Sequence, residues 1–256
     1  MIIQQFIDGY SRKTRLIPAG LVLVPALLMA LIYGIDGSAA APVLYSTSGI
    51  FVITMLLTQI GRHSGKKKEP ALWAHWGGAP STQLLRWRNK TYSTHIKQHY
   101  HTRLQTLFPV LHPPDAAFEG QYPAQADEVY DSWCHFLRMH VREDTKKFRL
   151  VFIENVNYGL CRNLWGLKPI AILSIIFLGA INYGFNWFWN GVVNPLFYGG
   201  PFWITTGMLL VVLIGWILFV NKDRVKIPAF AYAERLIEST NSLPVPINVS
   251  PDRTSR

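Results

Sequence analysis

From Pro169 to Asn221 the chain carries no Asp, Glu, Lys or Arg, and from Leu16 to Ile60 its one charged residue is Asp36. A helix buried in a soluble core keeps polar residues at helical spacing on its outer face, and these runs keep none. Uncharged apolar stretches of about 18 residues or more read instead as membrane spans. Four are predicted: 16–33 (LIPAGLVLVPALLMALIY), 42–60 (PVLYSTSGIFVITMLLTQI), 169–189 (PIAILSIIFLGAINYGFNWFW) and 201–220 (PFWITTGMLLVVLIGWILFV). The first pair forms a hairpin about GIDGSAAA and the second about NGVVNPLFYGG. Only 16% of residues are charged, against roughly 25% in ordinary soluble domains, and the deficit is local to these runs. Arg12, Lys13 and Arg15 precede the first span as they would a signal peptide. Its apolar run is longer than the roughly 7–15 residues of such peptides and leads straight into a second span, so it reads as retained.

Orientation follows from the Lys and Arg beside the spans. Three precede the first span, sixteen lie between residues 62 and 168, six follow residue 221, and the two hairpin turns hold none. All three polar pieces, and with them both termini, are expected in the cytoplasm. The organisation predicted is 1–61, an N-terminal segment and hairpin; 62–168, a basic helical domain; 169–221, a second hairpin; and 222–256, a C-terminal helix and disordered tail. The fold class is therefore an all-α membrane protein, two transmembrane helical hairpins flanking a helical cytoplasmic domain. Cys134 and Cys161 fall in that reducing compartment, where a disulfide is not expected, and their spacing is no metal signature.

Within 62–168, RHSGKKKEP reads as a linker whose lysines approach anionic headgroups. Pro80-Ser81-Thr82 reads as a helix start capped by Ser81 or Thr82. A helix is predicted over 91–108, with Ile96, Tyr100, Leu104 and Leu107 or Phe108 on one stripe. PVLHPPDAAFEGQYPAQ reads as a loop. A third helix over 125–143 puts Val129, Trp133, Phe136, Leu137 and His140 on one face and its acids in the first turn. A fourth, the stalk 145–167, is capped by Asp144 or Thr145 and carries a seam of Leu150, Ile153, Asn157, Leu160, Leu164 and Leu167. It is expected to break at Lys168-Pro169, with Arg162, Trp165 and Lys168 at the headgroup layer, where Trp, Lys and Arg settle. The C-terminal helix 226–243 places Phe230, Ala233, Leu236 and Ile237 on one face.

Chemistry is sparse. His95 and His99 are four apart on a helix, a spacing that suits zinc, yet no HExxH glutamate accompanies them, and two histidines complete no site without ligands from elsewhere, such as His112, His135 or Asp131. No GxSxG, phosphate loop or dinucleotide fingerprint is present, and Cys134 beside His135 is adjacency only. No enzyme, catalytic residue, metal or cofactor is therefore expected. The segment 62–168 is net basic, and Arg86-Trp87-Arg88-Asn89-Lys90 interleaves an aromatic ring with cations. That pattern fits a headgroup-facing surface, a nucleic-acid or nucleotide site, or a dock for an acidic protein. The candidate ligand or partner residues are Arg86, Arg88, Lys90, Lys146, Lys147, Arg149 and Arg162; Trp165 and Lys168 are the membrane-interface pair. In the spans, Thr47, Thr54, Thr58, Asn182, Thr205 and Thr206 either bond neighbouring helices or line a pore in an oligomer. No Asp, Glu, Lys or Arg lies at depth to serve a coupled transporter.

The strings WGGAPSTQLLRWRN, HYHTRL and REDTKKFRLVFIENVNYGLCRNLWGLKP, within residues 73–170, resemble a recurring group of bacterial membrane proteins. That group shows W-G-G-x-P-T-T-x-x-L-R, then D-T-K-x-F, then Y-G-F-R-R-N-L-x-G-L-K-P. This chain departs from it at Ser81, where the group has Thr, and at Leu160-Cys161, where the group has an aromatic residue and an arginine; of the paired arginines only Arg162 remains. The resemblance implies a multi-pass protein of the bacterial inner membrane and no activity. By architecture the chain also looks like the membrane effectors of bacterial phage-defence systems, which oligomerise and permeabilise the membrane, a fold-level analogy. Two functions are expected on these grounds. One is a non-enzymatic effector or sensor whose homo-oligomerised spans act on the bilayer. The other is an anchor recruiting a soluble protein or nucleic acid through residues 73–168.

Overall fold

The computed structural model describes residues 12–33, 40–110 and 113–244, apart from the side chains of 40–47. All regular structure among them is helical. A π-helical turn, Arg12–Leu16, leads into α1 (Ile17–Ile32); then come α2 (Ala40–Trp76), α3 (Pro80–Leu85), α4 (Thr94–Leu107), α5 (Ala116–Gln121), α6 (Pro123–Glu143), α7 (Arg149–Asn190), α8 (Gly200–Phe219) and α9 (Lys222–Glu238). Three helical stretches are long and apolar enough to cross a membrane: Arg12–Ile32, Arg149–Asn190 and Gly200–Phe219. The expected span 42–60 lies within α2. Residues 34–39 of the first predicted turn, the N-terminal residues 1–11, His112 and the predicted disordered end from 245 onward lie outside the described residues. Contacts divide the chain into two compact units, 1–72 with 156–228 and 73–155 with 229–256.

In the first unit an apolar cluster that includes Val22, Leu57, Leu167, Ile175 and Leu209 is buried, yet large apolar side chains also cover the surface and polar ones lie inside. Leu31, Phe188, Leu196 and Val211 point outward, while Asn163, Asn182, Asn186, Arg162 and Thr205 are buried. In lipid, helices associate through small residues and hydrogen bonds rather than by apolar burial alone, and both occur between the long apolar helices here. Gly61 and Gly65 of α2 meet Gly166 of α7; a Cβ on Gly166 would lie 2.6 Å from Gly65 N and 2.8 Å from Gly61 O. Beside this crossing Ser64 Oγ donates to Gly166 O at 3.0 Å and Asn163 Nδ2 to Thr14 O at 2.8 Å. Further along α7, Asn182 Nδ2 donates to Thr206 Oγ1 at 3.0 Å, and Tyr33 OH to Asn182 Oδ1 at 2.5 Å.

Two expected breaks are absent. Residues 62–70, read as a linker, are helical within α2, and α7 continues through Pro169. Proline removes one backbone donor and leaves the carbonyl four residues back unpaired. Long helices tolerate this where a neighbour supplies the donor, and Ser64 donates to the carbonyl next to the one Pro169 frees. The stalk seam holds only in part: Leu167 is buried as expected, but Leu150 is 59% exposed and Ile153 faces out, whereas Val151, Val156, Tyr158, Arg162 and Asn163 are buried.

The second unit has an ordinary apolar core. Leu84 and Leu85 of α3, Leu104 and Leu107 of α4, and Tyr130, Trp133, Cys134 and Leu137 of α6 pack with Ala233, Leu236 and Ile237 of α9. Arg103 holds the chain after α9, donating from Nη2 to Leu243 O at 2.6 Å and from Nε to Thr240 O at 3.2 Å. Details differ from expectation. Helix α3 starts at Pro80 with Ala79 as its cap, so Ser81 and Thr82 are buried inside it. Helix α4 turns Lys97 and His101 inward and leaves Ile96 exposed. The core face of α6 is Ala126, Tyr130, Trp133, Cys134, Leu137 and Val141, with Val129 and Phe136 at its margin. Because α6 begins at Pro123, its first turn holds no acid. The predicted loop contains α5, capped by Asp115, whose Oδ1 accepts from Phe118 N at 2.7 Å. Asp144 likewise accepts from Lys146 N and Lys147 N ahead of α7, at 3.1 and 2.9 Å.

Gly166→Ala places a methyl group against backbone, which cannot rotate away. A loss of about 1–3 kcal/mol is expected, seen as a lower unfolding temperature of the full chain in detergent; Gly179→Ala, whose Cβ meets nothing within 4 Å, is the control expected to unfold with wild type.

Candidate functional site

The most constrained group of polar side chains in the second unit surrounds Glu119 of α5. The chain entering it turns at Gly77 and Gly78, with φ of 92° and 130°, backbone that an L side chain adopts only under strain. That turn lets Arg86 Nη1 donate to Gly77 O at 2.6 Å. Arg86 also grips Asp127 of α6 with two parallel bonds, Nε to Oδ1 at 2.8 Å and Nη2 to Oδ2 at 2.7 Å, the geometry of a strong charge-assisted pair.

Residues 87–89 then lie against α5. Trp87 N donates to Glu119 Oε2 at 2.6 Å, Arg88 N to Oε1 at 3.1 Å, and Tyr130 OH to Oε2 at 2.8 Å. Glu119 is 2% exposed and Lys97 4%. Lys97 Nζ donates to Trp87 O at 2.8 Å and to Asn89 O; burial lowers its pKa, with Glu119 opposing. The Arg88 guanidinium is half-exposed and 3.8 Å from both Glu119 and Asp127. His101 Nε2 lies 2.7 Å from Leu85 O, its ring set edge-on against Trp87 and Trp133. Burial depresses its pKa, so at neutral pH His101 is uncharged and its Nε2–H is the donor.

This network clamps the 86–89 segment. Glu119 accepts three hydrogen bonds, which suits a buried carboxylate. Trp87, Arg88, Ala116, Glu119, Gly120 and Pro123 line a shallow depression of about 410 Å³. Its available cation is Arg88, so the depression suits an anion at the surface.

The candidate residues separate. Arg86 and Arg88 come together about Asp127. Arg162 is in the other unit, donating from Nη1 to Glu69 Oε1 at 3.0 Å, where Tyr158 OH also donates at 2.5 Å; it is an internal ion pair. Lys90, Lys146, Lys147 and Arg149 are exposed. Of the interface pair, Trp165 lies under Lys68 Nζ at 4.8 Å from the ring centroid. Lys168 Nζ donates to Ile217 O and Val220 O at 3.1 and 2.7 Å, closing the C-terminal end of α8. His95 is exposed and His99 Nε2 meets Asn241 Oδ1 at 2.8 Å. Among the described residues no three His, Cys, Asp or Glu side chains cluster as metal ligands. Cys134 is buried and His135 exposed, so they form no nucleophile–base pair.

Glu119, Asp127, Lys97 and Glu69 were not singled out from the sequence. The available signal was Asp115 followed by Ala-Ala-Phe-Glu, a helix cap inside a proline-rich stretch. Gly61-Arg-His-Ser-Gly65 was likewise a legible small-xxx-small pattern. Compared with family models, with curated proteins and with solved structures, the chain matches none.

Removing one partner of a buried charged network costs about 3–5 kcal/mol, so Glu119→Ala is expected to destabilise the full chain by that order, while Arg88→Gln, at a half-exposed site, costs at most about 1 kcal/mol. Denaturant unfolding followed by Trp fluorescence measures both. Burial pushes the Cys134 thiol up to about 11. The thiolate is the reactive form, so maleimide labelling of Cys134 in a Cys161→Ser chain should stay slow at neutral pH and rise only as pH approaches that value. Glu119→Ala should speed it at neutral pH by opening the core.

Proposed function

We propose that this chain is a non-enzymatic, multi-pass protein of the bacterial inner membrane that presents a basic helical domain to a soluble acidic protein in the cytoplasm. In this reading four helices are embedded, the fourth being residues 42–60 of α2, and both termini are cytoplasmic. The observation that carries it is the contrast between two kinds of cation. Arg86 and Arg162 are consumed by Asp127 and Glu69, which fixes the fold, while Lys90, Lys146, Lys147 and Arg149 are left on the surface. Exposed cations beside a clamped segment steer an acidic partner and fix its register. A nucleic acid would meet the same charges, without the stacking platform single strands use, since Trp87 packs on His101.

The oligomeric, permeabilising effector is the second reading. It asks for polar side chains facing away from the chain's own helices. Thr54 Oγ1, Thr58 Oγ1 and Thr206 Oγ1 each donate to a carbonyl of their own helix, and Thr58, Asn182 and Thr205 are buried within the chain, which favours the anchor.

Full-length chain and its Lys146→Glu/Lys147→Glu/Arg149→Glu variant, cross-linked in cells, separate the readings. The anchor expects a protein partner held by wild type, resistant to nuclease, released by salt and lost from the variant. Equal recovery from both chains overturns it, as does nuclease-sensitive recovery. Dye entry on overproduction, with loss of membrane potential, transfers the assignment to the effector.

A further inference from the structure

Helix α8 ends at Phe219 and α9 begins at Lys222, so the charge-free run stops where the chain turns. Beside that turn lies a depression of about 320 Å³. Its walls include Leu164 of α7, Phe219 and Val220 at the end of α8, and Arg224, Ile227 and Pro228 of α9. Ile227 is 72% exposed, between Lys226 and Pro228. It follows Arg224 by three residues, so the two share a face. The Arg224 guanidinium lies over the Phe219 ring, 4.9 Å from its centroid, and pairs with no carboxylate among the described residues.

Two neighbouring polar groups are already committed, while Lys222 and Asp223 lie outside the walls. Asn221 Oδ1 accepts from Arg224 N at 3.0 Å and its Nδ2 donates to Leu218 O at 3.0 Å. Lys168 Nζ is spent on the carbonyls of Ile217 and Val220. What remains is a guanidinium fork above an apolar wall, with the weakly polar Cys161 thiol alongside. A fork of parallel N–H donors matches the oxygens of a phosphate, and basic pockets at the cytoplasmic ends of span helices are suited to anionic lipid head groups.

We propose that this depression binds an anionic phospholipid, with Arg224 gripping the phosphate and Leu164, Phe219 and Ile227 flanking the first methylenes of the acyl chain. The inference rests on the membrane reading above, because a free phosphate would leave the apolar wall in water. Such a lipid would fix the depth of the turn between α8 and α9, where Trp216 and Val225 are buried on either side.

The test uses the full chain reconstituted in vesicles of phosphatidylcholine and phosphatidylglycerol in equal amounts, then released for native mass spectrometry. Wild type should retain phosphatidylglycerol over phosphatidylcholine, and Arg224→Gln should lower that preference about tenfold. Lys222→Gln, in the same turn but outside the walls, should behave as wild type. Equal retention of the two lipids overturns the proposal, as does an equal loss from both variants, which would indicate surface charge alone. Displacement of the retained lipid by inorganic phosphate would assign the site to the free ion. A chain that inserts normally yet shows either result leaves the membrane reading intact, whereas a chain that stays in solution without vesicles removes both.

Discussion

A low-dielectric surround along the charge-free runs is the constraint from which the first unit follows. Where water is absent, an unpaired backbone or amide group costs several kcal/mol, and burying a Leu yields nothing that lipid does not already supply. Leu31 of α1, Phe188 of α7 and Val211 of α8 point outward, an apolar cluster that includes Val22, Leu57, Leu167 and Leu209 packs inside, and asparagines and glycines hold the points where helices meet. Gly61, Gly65 and Gly166 allow close backbone approach, and Asn163, Ser64 and Asn182 use that proximity for hydrogen bonds.

The second unit obeys the rule for water, with one complication. Its apolar core of α3, α4, α6 and α9 would form from burial alone, but the segment joining α3 to α4 is polar and partly buried. Glu119 resolves this by accepting from two of its amides, while Lys97 donates to two of its carbonyls. A carboxylate and an ammonium on opposite sides of one segment satisfy its backbone and offset each other's charge. The half-satisfied alternative would be worse than an apolar core, so this small set of side chains acts as a unit.

Absence of charge was readable at long range, and with it the apolar helices and the all-helical class. The core stripe of α9 was also legible, because Phe230, Ala233, Leu236 and Ile237 lie in a water-facing unit where apolar means buried. The same logic placed Leu167 of α7 inside correctly but failed at Leu150 and Ile153. Leu150, Ile153 and Asn157 satisfied a seam by spacing, yet Arg162 and Asn163 took the inner positions because Glu69 and Thr14 were there to meet them. Lys97 and His101 went inward for carbonyls contributed by residues 85–89. In each case the deciding partner lies on another element, from eight residues away for Lys97 to 149 for Asn163, and periodicity within one helix does not contain it.

The basic residues make the point most directly. Arg86 and Arg88 are two positions apart in one aromatic–cation run, and nothing in composition distinguishes them. In the fold Arg86 is locked by Asp127 and Gly77, its charge neutralised and its fork filled, whereas Arg88 stays half-exposed beside a depression with its guanidinium 3.8 Å from either carboxylate. A cation already holding a bidentate partner must break that pair to take a ligand, at a cost comparable to what the ligand returns; a cation held loosely does not. Net charge counts both alike, but only the second kind is available for recognition, and the acids at 69, 119 and 127 decide which kind each arginine becomes.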